Sequence, residues 1–405
     1  MDTIIHTLGN GLRVVARRSD GNVAYIGILA NAGSRDDGDA QDGLAHFVEH
    51  TIFKGTPSRR TWQVSDRMES VGGELNAYTT REEIMVYTNA PAGYERRASD
   101  LLADLVENAW FPENEIDLER GVILEEISSY RDNASYAVFD EFDELMFRDS
   151  PMAHNILGYP DTVRNISQAD ARGFLCRYFA PENMVVYCLA PGDPEKNIVR
   201  IERSFEKLER PWKPPVRTVP DLIPVFDETR DRGNHQANAL VGTRIFDAHD
   251  PRRFALLMYA NVIGGVSMNS VLNRELRERR GLVYSVECAT SLYSDCGVFQ
   301  VYFATEPNNV EKCVRVVRRE IDRLATSAMS ERSFRKAQRQ LCGQLLVNGD
   351  NRESQAMALA KDLMRHGEIL GNRYIADRIM ELTPEDVRGV AELMATSDMS
   401  RLVLI

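Results

Sequence analysis

The stretch LERPWKPPVRTVPDLIP, residues 208 to 224, constrains the fold of this chain more than any other segment. Its five prolines (Pro211, Pro214, Pro215, Pro220 and Pro224) lack the N–H that a helix interior or a central strand requires. Such a segment is a stiff, extended linker. It divides the 405 residues into halves of nearly equal length. A chain this long exceeds one ordinary hydrophobic core. Two domains are therefore expected, 1–207 and 225–405, joined by the linker at 208–224.

The halves look related. SQADARGFLCRYFAPENMVVYCL (167–189) and TPEDVRGVAELMATSDMSRLVLI (383–405) align without a gap at an offset of 216, which sets Asp170, Arg172 and Gly173 on Asp386, Arg388 and Gly389. In both, a helix start capped by Ser167 or Thr383 leads into a helix and then a β-rich run. The same order at the same distance from each half's end indicates duplication. Strand candidates include NVAYIGILAN, IMVYTNA, NMVVYCLA, NALVGTRIF and GVFQVYFAT, and a hairpin is expected at Asn10-Gly11. Long amphipathic patterns such as ERRASDLLADLVENAW, NEIDLERGVILEEISSYR and VEKCVRVVRREIDRLA read as helices. Strands and helices do not alternate one for one, so a parallel wind is disfavoured. The expected class is α+β: two homologous domains, each with helices packed on a mostly antiparallel or mixed sheet.

Charge and cysteine usage narrow the function classes. A net charge of −12 argues against nucleic acid as the main partner, because phosphate binding needs clustered cations. No apolar run approaches the roughly 20 residues that span a bilayer. The six cysteines are scattered without a CxxC pair, which suits buried free thiols in a reducing compartment. With no targeting pattern in MDTIIHTLGNGLRVVA, a cytoplasmic location is expected.

The chemistry concentrates in GLAHFVEHTIFKG, residues 43–55. On a helix, His46 and His50 lie one turn apart on one side, where both imidazoles can reach a single zinc ion at about 2.0–2.1 Å. Glu49 falls beside them, placed to take a proton from a zinc-activated water. Two of only seven histidines occur at this spacing. A catalytic zinc needs a third protein ligand and an open position. The helix around ERGVILEEI offers Glu119 and Glu126, two turns apart on nearly one face. Its apolar residues Val122, Ile123, Leu124 and Ile127 indicate a packed helix, and a carboxylate on a packed face needs a partner. Glu125 competes with Glu126, and spacing does not separate them.

HxxEH followed by ERGVILEEI about 75 residues later resembles the M16 zinc metallopeptidases, the inverzincin group that includes pitrilysin, insulin-degrading enzyme and the mitochondrial processing peptidases. The likeness extends to GGELNAYTTREEIMVYTNA, the proline-rich linker and LNRELRERRGLVYSV, and the length suits the two-domain bacterial type. The resemblance implies one Zn2+ per subunit on His46, His50 and Glu126, with Glu49 as general base and Glu119 supporting the site without binding metal. It further implies that Asn76 and Ala77, beside an edge strand, hold the substrate backbone. Arg277 and Tyr284 would form a pair that binds substrate and steadies the oxyanion. The second half would lack a metal site, since VIGGV stands at the 216 offset from HFVEH.

The implied activity is zinc-dependent hydrolysis of peptides or unfolded segments inside a chamber, by a homodimer without nucleic-acid or membrane partners. The alternative is a non-catalytic structural or partner subunit of the same family. Such subunits typically lose the zinc motif or the clamp pair, and this chain keeps both.

Overall fold

In NMVVYCLA, apolar residues run without polar interruption, the pattern of a strand buried on both faces. In the computed structural model, which describes residues 3–405, every residue of Met184–Ala190 is buried at the middle of a six-stranded sheet. The strands of this first unit are β1 (Thr3–Thr7), β2 (Arg13–Arg18), β3 (Val23–Ala30), β4 (Glu74–Thr79), β5 (Ile84–Pro91) and β6 (Met184–Ala190), in the order β1-β2-β6-β3-β5-β4. Only β2 and β6 run parallel; the other neighbours are antiparallel. The sheet is mixed, and β4 forms one edge of it.

Side chains alternate across β6. Met184, Val186, Cys188 and Ala190 enter a large core with the helices Leu44–Thr51, Glu95–Asn108 and Pro194–Phe205. Val185, Tyr187 and Leu189 point to the other face with Val15, Leu29 and Met85. That face is covered by Ala356, Leu359, Ala360 and Leu363 of the helix Arg352–His366. The covering helix comes from far beyond the linker. The first unit thus comprises the chain up to Ser128, His154–Arg217 and Gly349–Gly371.

The second unit takes the complementary segments, Ser129–Ala153, Thr218–Asn348 and Asn372–Ile405. Its strands are β7 (Asp227–Arg230), β8 (Ala237–Ile245), β9 (Val283–Leu292), β10 (Gly297–Thr305) and β11 (Ser400–Leu404), in the order β7-β11-β8-β10-β9. Strand for strand this repeats β2-β6-β3-β5-β4, with the same single parallel pair, here β7 and β11. One face packs on the helices Arg253–Gly264, Val310–Thr326 and Pro384–Thr396. The other is closed by Val138, Phe142 and Met146 of the helix Ala134–Met146, which precedes the linker.

The duplicated helix starts agree atom for atom. Ser167 and Thr383 each cap their helix through the N–H of Asp170 or Asp386, and the aspartate accepts the capping residue's own N–H at 2.8 Å in both. The linker runs without helix or strand, as its prolines require, yet it is tied down. Arg210 donates to the carbonyls of Leu175, Phe179, Val106 and Glu107, and Arg217 pairs with Asp36 at 2.6 Å.

Candidate metal centre

Two helices build the site, each contributing its ligands from the first unit. The motif helix, Leu44–Thr51, begins at Gly43, whose φ of +91° lies in the left-handed region that glycine favours. A Cβ at Gly43 would sit 2.8 Å from the Gly158 Cα and the Leu157 carbonyl oxygen, so the backbones meet only because both residues are glycine. The buried Asp37 carboxyl accepts from the N–H of Gly43 (2.9 Å) and of Ala45 (2.8 Å), which anchors the helix start. Leu44, Ala45, Phe47 and Val48 are buried in the core. The helix Glu113–Asp132 packs through Ile116, Ile123 and Ile127. Arg120 fastens it, donating to the carbonyls of Val163 and Ile166 while lying over the Phe47 ring. Val122, expected inside, is 52% exposed because helical periodicity turns it away from those isoleucines.

His46, His50 and Glu126 converge. One ligand atom from each lies within 4.8 Å of the others. His46 Nε2 is 3.7 Å and His50 Nε2 3.4 Å from Glu126 Oε2, and the ring centroids are 4.5 Å apart. A tetrahedral zinc with bonds of about 2.0–2.1 Å needs donors roughly 3.4 Å apart. Two imidazole nitrogens and one carboxylate oxygen are also the donor set such an ion takes. The group therefore fits zinc. Glu125 is exposed and outside it.

The protonation states suit this use. Burial, reinforced by the neighbouring His50, lowers the His46 pKa to about 3, so this imidazole is neutral at neutral pH. His50 moves the other way. Burial favours its neutral form, but the hydrogen bond from Nδ1 to Glu119 Oε1 (2.9 Å) and the charges of Glu49, Glu126 and Glu119 prevail and raise its pKa. For Glu119, burial is outweighed by His50 and by Lys54, whose Nζ lies 2.5 Å from Oε2, so its pKa is lowered. Both Glu119 oxygens are occupied, and the proton it accepts fixes which His50 nitrogen faces Glu126. Glu49 is half-buried. Its pKa is raised by burial and by Glu126, opposed by His50 and by a Thr79 hydroxyl that falls short of full hydrogen-bond geometry.

Asn76 and Ala77 lie in the edge strand β4 itself rather than beside it. Arg277 and Tyr284 belong to the second unit, both exposed. Arg277 sits in a π-helical turn, Asn273–Glu278, closed by Arg279 N–H to the Arg274 carbonyl at 2.9 Å; Tyr284 is near the start of β9. Lys54 and Asp37 escaped the sequence reading. The only signal for Lys54 is its position four residues after His50, beyond the helix end, and Asp37 precedes its helix by a loop.

Residues 13–160 match the family model for insulinase (peptidase family M16), and residues 165–341 match that for the peptidase M16 inactive domain. The chain is also 33% identical over 95% of its length to an uncharacterized zinc protease of Streptomyces coelicolor, covering 85% of that protein. The chain belongs to peptidase family M16. An uncharacterized zinc protease of Bacillus subtilis is 26% identical over 97% of this chain and 96% of its own length. Solved structures share the M16 fold. A protease from Helicobacter pylori superposes with a TM-score of 0.91 at 20% identity, covering 100% of this chain and 99% of that one. A structure from Pseudomonas fluorescens titled peptidase M16 inactive domain gives 0.93 at 16%, covering 100% and 98%. The His46–His50–Glu126 group lies within the part matched by the insulinase model. No helix among the described residues is long and apolar enough to cross a membrane.

Proposed function

We propose that this M16 chain is a zinc-dependent endopeptidase that cleaves peptides or unfolded segments, with one zinc per subunit held by His46, His50 and Glu126. The observation that carries the reading is the convergence of those three donors, with Glu49 on the same motif helix and electrostatically coupled to His50 and Glu126. Zinc bound there would supply Lewis acidity, polarising the scissile carbonyl and acidifying water.

The protein's own groups do the rest. Glu49 accepts the proton of the attacking water and returns it to the leaving amine, and its upward-shifted pKa suits both transfers. Glu119 holds His50 in the tautomer that aims Nε2 at the centre, and Lys54 keeps Glu119 charged. As the sheet edge, β4 offers Asn76 and Ala77 for backbone pairing with an extended peptide. Arg277 and Tyr284, an exposed guanidinium and phenol, act as substrate-binding groups that stabilise the oxyanion. We further infer a homodimer in the cytoplasm, a location favoured by six free thiols.

Glu49→Gln tests the reading. Zinc content by elemental analysis should equal wild type, while cleavage of a peptide library falls by about 10²–10⁴-fold. Full activity in that variant refutes the role of Glu49, and a wild-type chain that takes up no zinc refutes the peptidase assignment. Tyr284→Phe and Arg277→Gln should lower kcat/KM with zinc content unchanged.

A further inference from the structure

The second unit carries a cavity of about 380 Å3, lined by residues 269–271 and Arg274, the end of the helix Val310–Thr326 and the start of the helix Glu331–Asn348. Three of its lining residues are cations, Arg274, Arg323 and Lys336; hydroxyls come from serines that include Ser270 and Ser327, and no carboxylate lines it. That is unusual in a chain with 61 acidic residues against 49 basic ones.

Next to the cavity lies an ionic network that does not balance. Glu275 and Glu320, 5% and 3% exposed, are the carboxylates. Glu275 meets Arg279 at 2.5 Å, Arg280 at 2.7 Å and Arg319 at 3.5 Å; Glu320 meets Arg319 and Arg323, both at 2.7 Å. Arg274 reaches Glu275 only at 3.8 Å. Two carboxylates thus serve five guanidiniums. The weakly held Arg274 lines the cavity, as does Arg323, whose Nε alone is engaged by Glu320. Lys336 makes no ion pair with any described residue and adds a further uncompensated charge.

Positive charges gathered in a concave site reinforce one another and attract an anion more strongly than the same charges scattered over a surface. Guanidiniums bind tetrahedral oxyanions through paired N–H groups, and a lysine adds a point charge. The volume lies in the range of small-molecule sites. We propose that this cavity binds a phosphate-bearing small molecule, its phosphate oxygens held by Arg274, Arg323 and Lys336 with serine hydroxyls as neutral donors. The site is independent of the peptidase reading.

Titration calorimetry on the full chain, with inorganic phosphate and ATP as probes and acetate as control at equal ionic strength, tests this. Wild type should bind phosphate, ATP or both, and acetate should give no comparable heat. A response to ATP alone identifies a phosphorylated organic ligand, and a response to both identifies the phosphate group as sufficient. Lys336→Gln and Arg274→Gln alter exposed side chains and should each weaken binding by about tenfold or more, on the scale of one charge-assisted contact. Lys207→Gln, an exposed cation outside the lining, should leave it unchanged. Absence of phosphate and ATP binding, an equal response to acetate, or undiminished affinity in both lining variants overturns the proposal.

Discussion

His50 and Glu119 tie metal affinity to pH. The raised pKa of His50 means that its ring holds a proton to higher pH than an ordinary histidine, and zinc competes with that proton. Affinity should rise with pH until His50 is neutral and fall as pH drops through that raised pKa, with proton release on binding. His46, its pKa lowered to about 3, adds nothing to this dependence near neutrality. Glu119→Gln removes the charge that favours protonated His50. The acid limb should move to lower pH, while the loss of orientation weakens zinc by about 10–100-fold. Zinc-indicator titrations across pH read both effects. At this scale the histidines and Glu49 were legible because one helical turn places them without reference to the rest of the chain. Glu126 and Glu125 were not separable by spacing, and only the packing of Ile123 and Ile127 decides which carboxylate turns inward. Lys54 acts from a loop, where periodicity carries no information.

The motif helix is short, eight residues, and its position depends on its first turn. Two groups fix that turn, the Asp37 carboxyl and the glycine contact between Gly43 and Gly158. Asp37→Ala should destabilise the protein by about 1–2 kcal/mol, the scale of a lost helix cap. Gly43→Ala combines an unfavourable positive φ with contact against backbone, and should cost about 1–3 kcal/mol. Urea unfolding of the metal-free protein measures both. Zinc affinity should fall along with stability in Gly43→Ala, since the histidines ride on the displaced turn. Most elements were visible in the sequence: the β-branched runs became β3, β5, β6, β8 and β10, and the three long amphipathic patterns became helices. The π-helical turn carrying Arg277 was not, because RELRERR has the composition of an ordinary basic helix.

For the whole molecule, the 216-residue offset foretold two sheets of one topology, and β6 and β11 occupy the matching places. The exchange of the helices Arg352–His366 and Ala134–Met146 across the linker left no trace in the sequence. Either helix, read alone, could cover any apolar sheet face. A fragment of residues 1–224 should therefore be defective, with Val15, Leu29, Met85 and Tyr187 uncovered. Burial of Leu359 and Leu363 is worth roughly 1.5–3 kcal/mol each, and the fragment forfeits it. It should bind the dye ANS and aggregate, and a synthetic peptide of residues 349–371 should reduce both signals.

The same helix orders events at the ribosome. The sheet on which the motif helix packs has all its strands once Ala190 has been made, yet its second face lacks its covering helix until His366 has followed. At typical elongation rates that gap lasts roughly 10–35 s. For that interval the chain lacks the helix that covers this face in the finished fold, so apolar surface is expected to be exposed during synthesis and not afterwards.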